Sequence, residues 1–496
     1  MGASLICQTV TATTTADLRR QRDAARGVDL VELRLDGVAD PDVRGALAGR
    51  RVPAIVTCRP IWEGGRFAGS DEERRHLLEQ AIEAGAEYVD IEWRAGLGDL
   101  IAGKGGRGIV LSVHDLQGVP AHLPSVYRAM RQTGVQVVKI AITARRLCDV
   151  FALDSLVRAS SPSPSSKDEA NVFVAMGQPG VATRILPGRF HSRWTYAGDC
   201  APGQISAERL LTEFHFRDIS SATGVYGVVG SCAGRSLSPS LHNAAFRAAG
   251  VDAVYLPFET DDFDDFLAFA DRLPVAGASV TMPFKEIAME RIRDVDDVGR
   301  SVGAVNTIRR GRAGWCGTNT DVDGFLDPIR DVPLRDRRVA ILGAGGAARA
   351  VAVAVARCGA QVSVFARHRE RAAVVASLVR GEAFEDVPGR GNWDVLVNAT
   401  PVGSAPDVER TPIDADRLDG DLVYDLVYDP PMTRLLREAR AAGCRTVGGL
   451  EMLVAQARRQ SEWWTGRVCD EAVMRKAAAA AGATHASPLP DQKPES

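Results

Sequence analysis

Eight short apolar runs punctuate the first 220 residues of this 496-residue chain, most of them separated by stretches long enough for a helix. They read SLICQTV (4–10), LVELRLD (30–36), AIVTCR (54–59), YVDIEW (88–93), GIVLSVHD (108–115), VQVVKIAI (135–142), NVFVAMG (171–177) and RWTYAG (193–198). Apolar, β-branched runs of this length bounded by turn residues are strands. Alternating strand and helix predicts an α/β fold, and eight such units predict an N-terminal (β/α)8 barrel. The run SSPSPSSK at 160–167 has the composition of a linker. Two strands are still needed after it, so it reads as a loop within the barrel.

The sixth run carries Lys139 in its middle. A buried ammonium must shed its water, which favours the neutral amine. Moving a lysine from about 10.4 to near 7 costs roughly 5 kcal/mol. Taken alone, such a lysine is more often one that snorkels from a strand end or pairs with a carboxylate. A neutral amine there is also a nucleophile that attacks a ketone and forms a Schiff base. The second run helps to decide. In LVELRLD, Leu33 and Leu35 face one way while Glu32, Arg34 and Asp36 face the other. In a barrel jacketed by helices the leucines must face out and the charges in. Charges inside a barrel are costly unless they pair and serve a ligand. Arg59 with Glu63, His114 with Asp115, and Lys139 lie at or just past strand C-termini, the rim where this fold does its chemistry. Together they favour the nucleophilic amine.

Composition excludes several classes. Charged residues are 25% and the net charge is −3, so no basic surface for nucleic acid is expected. No run of about 20 apolar residues suggests a membrane span. Met1 is followed almost at once by strand, which leaves no room for a leader peptide. Nine cysteines are scattered singly with no CxxC pair, so neither a metal site nor a disulfide framework is expected, and reduced cytoplasmic thiols are.

Residues 1–220 resemble type I 3-dehydroquinate dehydratase. The resemblance rests on ELRLD (Glu32–Asp36), TCRPIWEGG (Thr57–Gly65), SVHD (Ser112–Asp115), VKIA (Val138–Ala141), Thr183-Arg184 and APGQ (Ala201–Gln204), in family order. It implies an imine at Lys139, His114 as general acid and base, and Glu63 as the group that tunes it. It also implies Arg184 on the substrate carboxylate, with Glu32, Arg34, Arg59 and Gln204 around the hydroxyls. The family's serine before APGQ is Cys200 here, which puts the lid contact in question.

The second half opens on GVYGVVGSC, then RSLSPSLHNAAF (235–246), where Ser238 before Pro239 reads as a helix N-cap. Lys285 follows the strand in ASVTMPFKE (278–286), and Asp321 lies in GTNTDVDGF (317–325). Residues 338–367 read strand, glycine turn, amphipathic helix, strand, with GAGGAA (Gly343, Ala344, Gly345, Gly346, Ala347, Ala348) at the turn. That context makes G-x-G-x-x-A a dinucleotide site with the pyrophosphate at the helix N-terminus. The second strand ends in Ala366-Arg367 with no acid. An arginine suits a 2′-phosphate, so NADP is the expected cofactor and Arg367 its clamp.

Residues 224–484 resemble shikimate dehydrogenase through S-x-S (Ser236, Ser238), VTxPxK (Val280–Lys285), GAVNT (Gly303–Thr307), NTD (Asn319–Asp321), NAT (Asn398–Thr400), VYDLVYDPPMT (Val423–Thr433) and GLEMLVAQA (Gly449–Ala457). The resemblance implies that Lys285 and Asp321 handle the proton while hydride moves between nicotinamide and substrate. Ser236 and Ser238 would bind the carboxylate, and Thr281, Asn306, Tyr428 and Gln456 the hydroxyls. Leu426 and Gly449 would lie near the nicotinamide. Cys232, Arg235, Ala366 and Ser404 depart from the family text. They touch the rim and the adenine side more than the reacting groups.

The expected organisation is a dehydratase-like barrel (1–220), a substrate-binding domain (224–330), a Rossmann domain (331–433), C-terminal helices returning to the substrate domain (434–484) and a disordered tail (485–496). The two resemblances name consecutive steps, dehydration of 3-dehydroquinate and NADPH-dependent reduction of 3-dehydroshikimate. The alternatives are a second half that prefers quinate, or one half reduced to a non-catalytic module.

Overall fold

The protein is described by a computed structural model for residues 4–158 and 169–485. The 160–167 run and the expected tail beyond His485 lie outside these residues, and His485 ends a helix. Two compact units result: one holds the chain up to Thr223 together with Phe258–Leu273, the other Gly224–Pro257 and the chain from Pro274.

The first unit is a nearly closed barrel of eight parallel strands: β1 (Leu5–Thr11), β2 (Leu30–Arg34), β3 (Ala54–Thr57), β4 (Tyr88–Glu92), β5 (Ile109–Asp115), β6 (Val137–Thr143), β7 (Ala170–Met176) and β8 (Trp194–Ala197). Neighbours follow chain order, and β1 also pairs with β8. A bridge from Asn171 to Ser192 is what links β7 to β8. All eight expected strands are present. β6 begins at Val137 rather than Val135; just before it the Gln136 side chain accepts the Gly108 N–H at 2.8 Å while its backbone bonds Gly106 O and the Ala170 N–H. The jacket obeys local rules too. The helix Asp71–Glu83 starts with Ser70 and Glu73 each capping the other's backbone N–H.

The segment Phe258–Leu273 lies inside the stretch expected for the substrate-binding domain, yet it clusters with the barrel. The reason is a buried carboxylate and an apolar face. Asp265 accepts the Leu147 and Cys148 N–H groups at 2.7 and 3.3 Å. Phe269 packs 5.5 Å from the Phe151 ring, and the Arg272 guanidinium lies 3.8 Å from that ring's centroid.

The second unit contains two six-stranded sheets. A mixed sheet uses β9 (Gly224–Gly230), β10 (Ala253–Glu259, up to Pro257 in this unit), β11 (Val275–Val280), β12 (Asp294–Val295), β13 (Thr307–Gly311) and β14 (Gly314–Thr318), in the order β10-β9-β11-β13-β14-β12. A parallel sheet uses β15 (Arg338–Leu342), β16 (Gln361–Phe365), β17 (Glu382–Phe384), β18 (Val395–Asn398), β19 (Leu422–Asp425) and β20 (Arg445–Val447). Its order β17-β16-β15-β18-β19-β20 is the doubly wound one, with the switch between β15 and β18. The helices Gly449–Thr465 and Glu471–His485 return to pack on Ser238–Ala248, where Leu241, Ala245, Val454, Ala457 and Met474 share one buried cluster. Among the described residues no helix is long and apolar enough to cross a membrane.

Candidate active sites

The barrel interior is charged because strand residues two apart share a face. Glu32 on β2, Asp90 and Glu92 on β4, Ser112 and His114 on β5 and Lys139 on β6 all meet there. Lys139 is 5% exposed, and its Nζ lies 3.0 Å from Asp90 Oδ2 and 3.4 Å from Glu32 Oε1. Pairing with a carboxylate is one of the readings the sequence left open for this lysine. The structure adds two carboxylates, so the resting nitrogen is one partner of an ion pair rather than an isolated amine. Glu32 also accepts the Thr9 and Thr57 hydroxyls at 3.1 and 3.0 Å. Arg59 binds Glu92 and Ser112 through Nη1, both at 2.8 Å, and Asp90 through Nη2 at 3.0 Å. Burial would raise the Asp90 carboxyl, but the Arg59 and Lys139 cations outweigh it and hold it well below the usual carboxylate range. Burial wins at Glu92, which is pushed up despite Arg59.

Register places Ser112 opposite Lys139 and His114, which pairs with Ala141, one same-face position further along β5. The turn Ile61–Glu63 brings Glu63 Oε1 within 2.8 Å of the His114 N–H and 3.0 Å of Nδ1. Burial, then the Arg59 and Lys139 cations, keep the imidazole well below its ordinary value. Burial pushes the Glu63 carboxyl up to about 7. The imidazole is therefore neutral near pH 7, and the carboxylate that fixes its tautomer titrates there.

Arg184 is buried with its Nε unpartnered, and its Nη2 donates to Pro202 O at 3.2 Å. Burial lowers it to about 10. A buried guanidinium paired with no carboxylate among the described residues is a receptor for an anion. Arg34, by contrast, is held by Asp36 through two 2.8 Å hydrogen bonds. Gln204 Oε1 accepts the Cys200 and Ala201 N–H groups at 2.8 and 3.0 Å, which shapes the loop. Cys200 Sγ lies 3.8 Å from Thr11 Oγ1, and burial raises the thiol, so it is a poor nucleophile.

In the second unit a cavity of about 180 Å³ gathers Ser236, Ser238, Thr281, Lys285, Asn306, Asp321, Ala347, Leu426, Tyr428, Gly449 and Gln456. Lys285 Nζ donates to Asp321 Oδ2 at 2.6 Å, and Asn306 Nδ2 donates to Asp321 Oδ1 at 2.7 Å. Ser238 is not the N-cap. It is the first residue of the helix Ser238–Ala248, and Ser236 Oγ accepts its N–H at 3.1 Å. Ser236 thus anchors the helix start while Ser238 faces the cavity.

The dinucleotide turn fits its expected ligand. Gly343 has φ +115°, and a Cβ there would lie 2.8 Å from Ala399 O, so only glycine suits it. A Cβ on Gly345 would meet nothing within 4 Å, which leaves open space above the helix Gly346–Arg357, and no side chain caps that helix. Its free N–H groups suit a pyrophosphate. A Cβ on Gly346 would come 3.0 Å from Lys285 Cδ, so glycine there also protects the lysine's position. Ala344 follows the turn glycine, half-buried. Arg367 is exposed just past β16, with no hydrogen bond or ion pair among the described residues.

Sequence reasoning missed Asp90, Glu92, Ser112 and Tyr196 in the barrel, and Ser279, Met452 and Gln460 in the cavity. The acids of YVDIEW alternate just as the charges of LVELRLD do, so that signal was legible. Gln460 gave none: it accepts the Ser279 hydroxyl at 2.7 Å across 181 residues.

These features define a lyase barrel and a dinucleotide-dependent oxidoreductase on one chain. Comparison with known proteins agrees. Residues 6–221 match the type I 3-dehydroquinase family, 228–308 the shikimate dehydrogenase substrate-binding domain and 449–479 the shikimate 5′-dehydrogenase C-terminal domain. The chain is 36% identical to the chloroplastic bifunctional 3-dehydroquinate dehydratase/shikimate dehydrogenase of Arabidopsis thaliana, over 93% of this chain and 82% of that one. It is 44% identical to the shikimate dehydrogenase (NADP(+)) of Halorubrum lacusprofundi, over 49% of this chain and 93% of that one. A crystal structure of a shikimate dehydrogenase in complex with NADP+ superposes with TM-score 0.50 and 32% identity, over 53% of this chain and 97% of that one. The chain belongs to the bifunctional 3-dehydroquinate dehydratase/shikimate dehydrogenase family.

Proposed function

We propose that the barrel dehydrates 3-dehydroquinate to 3-dehydroshikimate through an imine at Lys139, and that the second unit reduces that ketone to shikimate with NADPH. The observation that carries the reading is Lys139, a buried amine inside a barrel, one strand from a histidine held neutral.

Arg184 anchors the substrate carboxylate. Lys139, once it has given up a proton, attacks the ketone carbon; the carbonyl oxygen leaves as water, and a cationic iminium remains. The iminium accepts electrons, so His114 Nε2 can take the adjacent C2 proton. The electron pair then expels the C1 hydroxyl, which takes that proton from His114 and departs as water. A second water hydrolyses the imine, returning the lysine. Glu32, Arg34 and Arg59 are placed around the substrate hydroxyls, and Gln204 and Cys200 shape the closing loop. In the second unit Ser236, Ser238, Thr281, Asn306, Tyr428 and Gln456 bind and orient the substrate. Lys285 and Asp321 hold the proton that joins the new hydroxyl oxygen. NADPH supplies hydride when bound, with its phosphates at Gly343–Ala347, its nicotinamide near Leu426 and Gly449, and its 2′-phosphate at Arg367. Nine free cysteines suit a reducing compartment, the cytoplasm.

Purified protein given 3-dehydroquinate and NADPH should consume NADPH. Consumption with 3-dehydroshikimate but not with 3-dehydroquinate would sink the barrel's half of the proposal. Arg367→Ala should raise the KM for NADP about tenfold and leave that for NAD nearly unchanged; equal effects would remove the 2′-phosphate argument.

The Glu63–His114 pair sets a pH dependence. Above about 7 the carboxylate accepts the Nδ1 proton and leaves Nε2 bare. Below it the protonated carboxyl donates to Nδ1, so the proton sits on Nε2, where the base is needed. Dehydration kcat/KM should fall about tenfold per pH unit below that point, and Glu63→Gln should flatten the limb. A wild-type profile level from pH 5 to 7 would contradict this pairing. The linkage to stability has the opposite sense. A carboxyl raised above its unfolded value of 4.5 stabilises the fold most below that value, and the contribution is lost as pH rises through about 7.

A further inference from the structure

We propose that the ring of Tyr196 is a catalytic partner of Lys139, holding the positive charge on its nitrogen as the ammonium becomes an iminium. The inference rests on the imine reading above. Lys139 Nζ lies 4.3 Å from the centroid of the Tyr196 ring, within cation–π range. Both residues are buried, at 5% exposure each, and a desolvated cation gains most from an aromatic face.

Proton count gives the ring its role. The resting ammonium has three N–H donors and can serve Asp90 at 3.0 Å and Glu32 at 3.4 Å together. The iminium keeps one N–H while retaining the full charge, so it can satisfy only one of those carboxylates by a hydrogen bond. An aromatic face needs no directed N–H. Its attraction is to the charge itself, so it is the contact that survives condensation unchanged. The Trp194 ring packs edge-on to the Tyr196 ring at 6.4 Å, which holds the ring in place. Aliphatic residues fill much of the surrounding barrel interior, with Ala141, Val172 and Val174 in the same cluster.

The test varies the ring's electrons at constant shape. Phenylalanine and its mono-, di- and trifluorinated analogues are placed at position 196 of the full chain. Each variant is mixed with 3-dehydroquinate and borohydride, and the fraction carrying the reduced adduct at Lys139 is read by mass. The trapped fraction at low substrate should fall stepwise with fluorination, by about tenfold from phenylalanine to the trifluorinated ring. Equal trapping across the series would overturn the role of the ring and leave the imine intact. No adduct in the unsubstituted protein would overturn the imine reading itself.

Discussion

Lys139→Met should lower dehydration by about 10⁴-fold or more and leave shikimate oxidation at its original rate. Losing a covalent nucleophile costs far more than losing a positioning contact, because the path through the intermediate disappears. Methionine is of similar length, but it leaves Glu32 without its cation and Asp90 with Arg59 alone. Removing one partner of a buried pair costs about 3–5 kcal/mol, so a thermal melt must accompany the assay. Lys139→Arg separates the two effects. It keeps a charge between the carboxylates, offers no neutral amine, and should abolish dehydration with a smaller loss of stability. Rate measurements on both variants against both substrates check this. Dehydration surviving in either one would remove the imine from the account.

Asp321→Asn should give the reciprocal pattern. Shikimate oxidation should fall by about 10²–10⁴-fold, the range for a positioned general acid or base, and dehydration should not change. The carboxylate takes hydrogen bonds from Lys285 at 2.6 Å and Asn306 at 2.7 Å. An amide of the same shape keeps one acceptor oxygen but no charge, so Lys285 loses the charged partner that holds it in the cavity. Initial rates of NADP reduction by shikimate are the measurement. If either substitution silences both reactions in a folded chain, the assignment of one reaction to each unit is wrong.

Much of this was legible from text. Period-two alternation in LVELRLD placed Glu32 inside the barrel, and strand-end polar residues marked the rim. The turn glycines and the arginine after β16 pointed to NADP through their backbone context. What stayed hidden depends on folding. The neighbours of Lys139 come from strands 49 and 107 residues away, and no local pattern links an acid on β4 to a lysine on β6. The same holds for Ser238. Its place before Pro239 suggested a cap, but the chain enters the helix one turn position earlier, and Ser236 meets the free N–H instead. The segment Phe258–Leu273 reads as part of the second half by order alone. Buried Asp265 and the Phe269 face decide where it packs.

Borohydride reduction in the presence of 3-dehydroquinate, followed by peptide mass mapping, tests the central claim most directly. The account predicts one stable adduct, on the peptide that contains Lys139, with dehydration lost in proportion to its yield. An unmodified Lys139 in protein that is turning over substrate would contradict it.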